Sequence, residues 1–311
     1  MRTVLFYRDF RKFHGGHLKV WDYFNHLLAS PQFTPKIAFS PRSRWDEANP
    51  WWNVKEYVID SWDSVRPDVF FVAGRDWLML DGDPHARADI PVVNFIQHVR
   101  HADPNSTRFE FLSRKAIRIC VSEEVARALR ETGRTQGPMT VIPNSVDLEE
   151  LPAFNGEIRD VDVLIAALKQ PLLGEALERR LKRRDRRIKV LSELLPRSEF
   201  LNLMQSARTT VFLPNKTEGF YLPPLEGMAL GTLVVCPAHG EERSIYLPGQ
   251  NCFRPTYTLE EVAGAAESAL ALTPDQAQQM RANARQTAEE HSLLRERLAF
   301  LDVLHDIDQL W

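Results

Sequence analysis

Two carboxylates, Glu218 and Glu226, bracket the string Glu218-Gly219-Phe220-Tyr221-Leu222-Pro223-Pro224-Leu225-Glu226. The string follows an apolar run, Thr210–Leu213, and opens a helical pattern near Pro224–Leu230. A helix N-terminus presents unpaired N–H groups and the positive end of its dipole, a combination suited to phosphate. Carboxylates beside it can accept hydrogen bonds from the hydroxyls of a polyol. The same residues also admit a plainer reading, in which Glu226 favours the first helical turn and Glu218 is a solvated loop acid.

Other residues could join such a site. His14-Gly15-Gly16-His17 lies between a strand pattern and a helix pattern, where residues without side chains let a phosphate or another backbone come close. An ordinary tight turn explains Gly15 and Gly16 equally well. His98 ends the run Asn94-Phe95-Ile96-Gln97-His98, and Lys169 follows the apolar run Val161–Ala166. Asp81-Gly82-Asp83 and Asp160-Val161-Asp162 pair carboxylates as a divalent-metal site would, but such strings are common by chance. No G-x-S-x-G and no phosphate-loop string occurs. From Arg179 to Lys189 the chain reads RRLKRRDRRIK. That run is either a solvated helix end or a patch for anionic lipid or a phosphorylated acceptor.

The elements that position these residues follow from the apolar pattern. Val4–Tyr7, Lys36–Phe39, Val69–Val72, Val92–Ile96, Ile117–Val121 and Thr140–Ile142 are near-continuous Val/Ile/Phe runs, as in strands buried on both faces of a parallel sheet. Helices are predicted from Leu18 to Ala29 and, capped by Ser122, through Glu131. Ser40–Trp52 is polar and Trp-rich and reads as a loop. A second strand–helix series begins after Pro143-Asn144-Ser145, with strands at Val161–Ala166, Ile188–Leu191, Thr210–Leu213 and Leu233–Cys236 and helices at Leu172–Arg184 and Ser198–Ala207. From Leu259 the pattern is helical to the end. Two such series in 311 residues predict two doubly wound α/β domains, with ligands at the carboxyl ends of the strands and a cleft between the domains as the default site.

Composition agrees with a globular protein: 44% hydrophobic, 26% charged, and a net charge of −3 from 39 basic and 42 acidic residues, which leaves no overall nucleic-acid footprint. No apolar run approaches the ~18 residues of a membrane span. Met1–Tyr7 lacks the pattern of a secretory leader, and the three separated cysteines argue for a reducing compartment. The expected location is the cytoplasm, with peripheral contact at the inner membrane face as the functional reading of the basic run.

The stretch EGFYLPPLEGMALG, residues 218–231, resembles the E-x7-E signature of retaining glycosyltransferases with the GT-B fold, particularly glycosyltransferase family four (glycosyl transferases group 1). The family usually reads E-G-F-G-L-P-x-x-E-A-M-A-x-G, so Tyr221 stands for Gly and Gly227 for Ala. Val141-Ile142-Pro143-Asn144-Ser145-Val146-Asp147 is similar to the I-P-N-G-V-D that opens the family's second domain. Ile119-Cys120-Val121-Ser122 and Gly249-Gln250-Asn251-Cys252 match further landmarks in order.

The resemblance implies a GT-B fold. Residues 1–145 would form a Rossmann-like acceptor-side domain, and residues 146–290 a Rossmann-like domain for the nucleotide sugar. A C-terminal helix over 291–311 would cross back to the first domain. The resemblance further implies that Glu218 contacts the donor sugar and Glu226 the ribose, while amides around Gly219, Phe220, Tyr221 and Leu222 approach sugar and phosphates. Gly15 and Gly16 match the family's glycine loop, His98 a histidine that reaches the donor sugar, and Lys169 the lysine that holds the diphosphate; no residue matches the accompanying arginine. Configuration would be retained, with the leaving phosphate assisting deprotonation of the acceptor. The expected partners are a nucleotide-diphosphate sugar and a glycan, lipid-linked or small-molecule acceptor, with no metal or other cofactor and no nucleic acid. A non-catalytic sugar-nucleotide-binding subunit and a GT-B-fold epimerase stay open as alternatives.

Overall fold

The computed structural model describes residues 1–12, 15–81, 89–152, 159–217, 219–238 and 245–311. The chain divides into two compact units, Met1–Asn144 with Glu296–Trp311, and Ser145–Arg295.

The first unit is built on β1 (Arg2–Arg8), α1 (Gly15–Leu28), β2 (Phe33–Phe39), β3 (Val69–Ala73), α2 (Trp77–Leu80), β4 (Val92–Ile96), β5 (Ile117–Cys120), α3 (Glu123–Glu131) and β6 (Met139–Val141). Its six strands are all parallel, in the order β2-β1-β3-β4-β5-β6. Every residue of β3, β4 and β5 is buried, which is why these strands read as unbroken apolar runs. β2 starts earlier than its apolar pattern suggests, because Pro35 interrupts the run; an edge strand tolerates that missing N–H. α1 also starts earlier, at Gly15 rather than Leu18. The Ser122 hydroxyl accepts from Val125 N at 3.2 Å and caps α3. The Trp-rich loop after β2 contains a short 3-10 helix, Pro50–Asn53, that buries Trp51.

The second unit contains β7 (Val161–Ala166), α4 (Pro171–Leu181), β8 (Ile188–Leu191), α5 (Arg197–Gln205), β9 (Ala207–Phe212), α6 (Pro223–Ala229), β10 (Leu233–Val235), α7 (Leu259–Leu270) and α8 (Pro274–Glu290). Its four described strands are parallel, in the order β10-β9-β7-β8. Alternate residues of β7 face opposite layers. Leu164 and Ala166 pack with Leu201, Met204, Leu225 and Ala284 from α5, α6 and α8. Val163 and Ile165 pack with Leu177, Leu181, Val262 and Ala266 from α4 and α7. α4 ends at Leu181 rather than Arg184, so the basic run spans a helix end, a turn and the start of β8.

Two helices close the chain, α9 (Leu293–His305) and α10 (Ile307–Leu310). Within the first unit, Phe300 packs against Tyr23 of α1 and Phe71 of β3, with ring centroids 4.7 and 5.8 Å apart.

Gly227 departs from the family's alanine for a packing reason. A Cβ at this position would lie 2.8 Å from Cζ of Phe212 and 3.1 Å from a methyl of Thr232. The rigid ring cannot yield cheaply, so Gly227→Ala is expected to lower stability by ~1–2 kcal/mol, overpacking outweighing the gain in helix propensity. Thermal melts of the two proteins check this.

Candidate functional site

In both sheets the strand order reverses beside the first strand, between β1 and β3 and between β7 and β9. Ligands of open α/β sheets sit outside the carboxyl ends of the strands at such switch points.

In the second unit, the chain leaving β7 carries Lys169, whose Nζ lies 4.5 Å from the ring centroid of Tyr221 in the loop leaving β9. The Tyr221 ring is buried and meets Phe212 edge-on. Among the described residues no non-glycine residue has a positive φ, so Tyr221 replaces the family's glycine without backbone strain. Gly219 and Tyr221 are buried, and Phe220 and Leu222 partly so. Glu226, in the first turn of α6, is 2% exposed. Arg197 Nη1, from the first residue of α5, donates to Glu226 Oε1 at 2.5 Å. Lys169, Tyr221, Glu226 and the Gly219–Leu222 loop therefore all belong to the carboxyl ends of adjacent strands. Glu218 lies outside the described residues.

The phosphate-binding role expected of the α6 N-terminus needs correction. Pro223 and Pro224 occupy its first two positions and have no N–H, and the Leu225 and Glu226 amides already donate to Leu222 O. A helix end that does keep open donors is that of α4. Its Leu172 and Leu173 amides have no acceptor among the described residues, and they follow Lys169 directly. Sequence reasoning missed this end and missed Arg197. Pro171 just inside a helix that follows a strand was the available signal for the first. Nothing local signals the second.

In the first unit, Gly15 and Gly16 begin α1, and a Cβ on Gly15 would meet nothing within 4 Å. Gln97 Nε2, just past β4, donates to Gly16 O at 3.2 Å. His98 is half-buried, and its Nδ1 accepts from Arg100 N at 3.0 Å, so the neutral ring carries its proton on Nε2. At the switch point, Arg8 Nη1 donates to Asp76 Oδ2 at 2.8 Å, and Arg8 Nε donates to His17 Nδ1 at 3.2 Å. Burial outweighs the Arg8 charge and lifts the Asp76 carboxyl to about 6. His14 lies outside the described residues.

One aspartate of each paired string is engaged by arginines. Asp81 accepts from Arg114 Nη1 at 2.7 Å, while Asp162 accepts from Arg187 N and Arg208 Nη1. Asp83 lies outside the described residues. Five of the eight basic residues of the run are likewise paired among the described residues: Arg179 with Glu175, Arg180 with Glu260, Arg183 and Arg186 with Glu267, and Arg187 with Asp162. The Glu267 carboxylate is held below its usual range, first by its hydrogen bond from Arg186.

Residues 164–287 match the model of the family described as glycosyl transferases group 1. The matched segment lies within the second unit. The whole chain resembles solved structures in fold. Sucrose-phosphate synthase from Thermosynechococcus elongatus aligns at a TM-score of 0.73 and 13% identity, covering 99% of this chain and 100% of that one. Anabaena HepE in complex with UDP and glucose aligns at 0.75 and 14%, covering 98% and 100%. A glycosyltransferase from Rickettsia africae aligns at 0.72 and 16%, covering 98% of each chain. The fold is thus that of the GT-B glycosyltransferases. No curated protein matches the sequence.

Proposed function

We propose that this protein is a retaining glycosyltransferase that moves a sugar from a nucleotide-diphosphate donor to a glycan, lipid-linked or small-molecule acceptor. The observation that carries this reading is the grouping of Lys169, Tyr221, the Gly219–Leu222 loop and the Arg197–Glu226 pair at the carboxyl ends of β7, β8 and β9, inside the family-matched segment. In this reading the second unit holds the donor. Lys169 and the open α4 amides neutralise the diphosphate, Glu226 takes the ribose, and Glu218 takes the sugar. The first unit holds the acceptor, with His98 and the Gly15–Gly16 turn nearest the reacting end. Transfer then relies on positioning and on stabilising the charge of the leaving nucleotide.

HepE's complex with UDP makes uridine nucleotides the first probes. Incubation with a panel of nucleotide sugars, read by nucleotide release, tests the reading. Nucleotide binding with no release from any donor, across acceptor panels, would favour a binding subunit instead. The stacking of Lys169 on Tyr221 is what lends that second reading weight, since the ammonium must leave the ring to meet a phosphate.

Because Lys169 and backbone donors supply the counter-charge, activity is expected to survive excess EDTA. Loss on chelation with rescue by manganese would show instead that a metal neutralises the diphosphate. The ion pairs of Arg180, Arg183, Arg186 and Arg187 favour a solvated, internally paired surface over a lipid-facing one. The unaltered protein is therefore expected not to co-sediment with phosphatidylglycerol vesicles at physiological salt. Co-sedimentation abolished by reversing charges in Arg179–Lys189 would establish the membrane contact.

A further inference from the structure

The carboxyl end of the first sheet holds a group of cations without counter-charge among the described residues. Gly74, with φ at 63°, turns the chain out of β3 and is followed by the exposed Arg75. The neighbouring strand β4, whose Phe95 pairs with Ala73, leads through His98 to the exposed Arg100. Arg108 is half-buried and introduces the 3-10 helix Phe109–Ser113.

Other arginines of this unit find acceptors. Arg8 donates to Asp76, Arg11 to Asp9, Arg44 to Asp46 and Arg114 to Asp81, and the buried Arg118 donates to the carbonyls of Leu112, Arg114, Ala116 and Gln136. Arg75, Arg100 and Arg108 make no ion pair and no side-chain hydrogen bond among the described residues. Their proximity has an electrostatic signature. Burial, then the charges of Arg100 and Arg75, push the Arg108 guanidinium below its usual value. Burial, then the charges of Arg108, His98 and Arg100 among others, push the His101 imidazole down to about 3, so His101 is neutral.

Like charges held together without a partner are unfavourable, and a guanidinium cluster relieves the repulsion by binding phosphate or carboxylate. The cluster shares its end of the sheet with Gly15, Gly16 and His98, to which the Gln97–Gly16 bond connects it.

We propose that Arg75, Arg100 and Arg108 bind an anionic group, a phosphate or carboxylate carried by the acceptor saccharide. This rests on the assignment of the acceptor to the first unit. A neutral sugar would leave the three charges unrelieved. An anionic sugar is oriented by them through its charged group.

The test titrates the full chain by calorimetry and saturation-transfer NMR with glucose 6-phosphate, glucuronate and glucose, alongside UDP. At least one charged sugar should bind tenfold or more tightly than glucose, each lost charge-assisted bond being worth about tenfold or more. The comparison of phosphate with carboxylate identifies the anion. In the double variant Arg75→Gln/Arg100→Gln, both positions exposed and so compatible with folding, the preference should collapse while UDP affinity stays unchanged. Equal binding of all three sugars, or a preference that survives the double variant, overturns the proposal. A fall in UDP affinity in that variant also overturns it, because the arginines would then serve the donor diphosphate. UDP binding by the unaltered protein tests the donor reading separately.

Discussion

Glu226→Gln is expected to weaken binding of UDP, and to raise KM for the sugar nucleotide, by roughly ten- to a hundredfold while changing kcat little. A hydrogen bond to a charged group is worth ~1.5–3 kcal/mol, and the ribose lies away from the bond being broken. Gln keeps the size and one carbonyl oxygen, so the contact from Arg197 can persist. Arg197 is about one-third exposed, so losing its ionic partner should change stability little. Glu218→Gln is expected to fail differently. A carboxylate facing the sugar near its reacting carbon acts on charge and geometry that arise in the transition state, so turnover falls more than affinity. Arg197→Ala separates the two roles open to Glu226. If Glu226 holds ribose, this variant keeps most nucleotide affinity. If Glu226 serves only to anchor α5 to α6, Arg197→Ala and Glu226→Gln should behave alike, with lowered stability and unchanged affinity. Calorimetry with UDP and thermal melts on the three variants decide between these outcomes.

The sequence shows the strands of both sheets because burial on both faces leaves an unbroken apolar run, as in Val69–Ala73 and Val92–Ile96. It hides the first half of β2, where Pro35 mimics a loop residue and only the edge position of the strand makes it acceptable. The Glu218–Glu226 string is legible because its residues are contiguous. The loss of donors at the α6 N-terminus was equally legible, since Pro223 and Pro224 declare it, yet helix periodicity draws the eye to the dipole first. Contacts between distant residues are another matter. Arg197 reaches Glu226 only because α5 and α6 pack on one face of the same sheet. The run Arg179–Lys189 looks like free positive charge until Glu260 and Glu267 of α7 are placed beside it. The arginine cluster at Arg75, Arg100 and Arg108 is invisible for the same reason: three scattered cations become a group only when β3 and β4 lie side by side.

Glu296→Ala is expected to destabilise the protein by ~3–5 kcal/mol, the usual consequence of removing one partner of a buried ion pair. Lys19 Nζ lies 2.8 Å from Glu296 Oε2 and 2.8 Å from Asp22 Oδ2, and His26 Nε2 lies 3.0 Å from Glu296 Oε1. The side chains of Lys19, Glu296 and His26 are almost wholly buried where α9 meets α1. Against a burial term that opposes charge, Lys19 and His26 hold the Glu296 carboxyl below its usual range, and Asp22 and Glu296 hold Lys19 above its own. His26 is lowered by burial. It is therefore neutral, with its proton on the nitrogen facing Glu296, and Nδ1, which has no partner among the described residues, is an unfilled acceptor rather than an orphaned donor. Each group makes stability depend on pH with its own sign. Lowered His26 resists a proton that the unfolded chain accepts, so stability declines as pH falls below about 6.5. Lowered Glu296 adds a second loss as pH falls below about 4.3, the range in which the unfolded carboxyl takes its proton. Raised Lys19 contributes fully below about 10.4 and loses its contribution only as pH climbs beyond that. Glu296→Gln should keep the packing, lose the acid-side dependence contributed by Glu296, and still melt well below the unaltered protein because Lys19 loses one of its two carboxylate ion pairs. Denaturant unfolding of the two variants between pH 4 and pH 9 measures both effects. Near-unaltered stability of Glu296→Ala at neutral pH would show that the buried lysine is sustained without Glu296 and that α9 is held by Phe300 and its apolar neighbours.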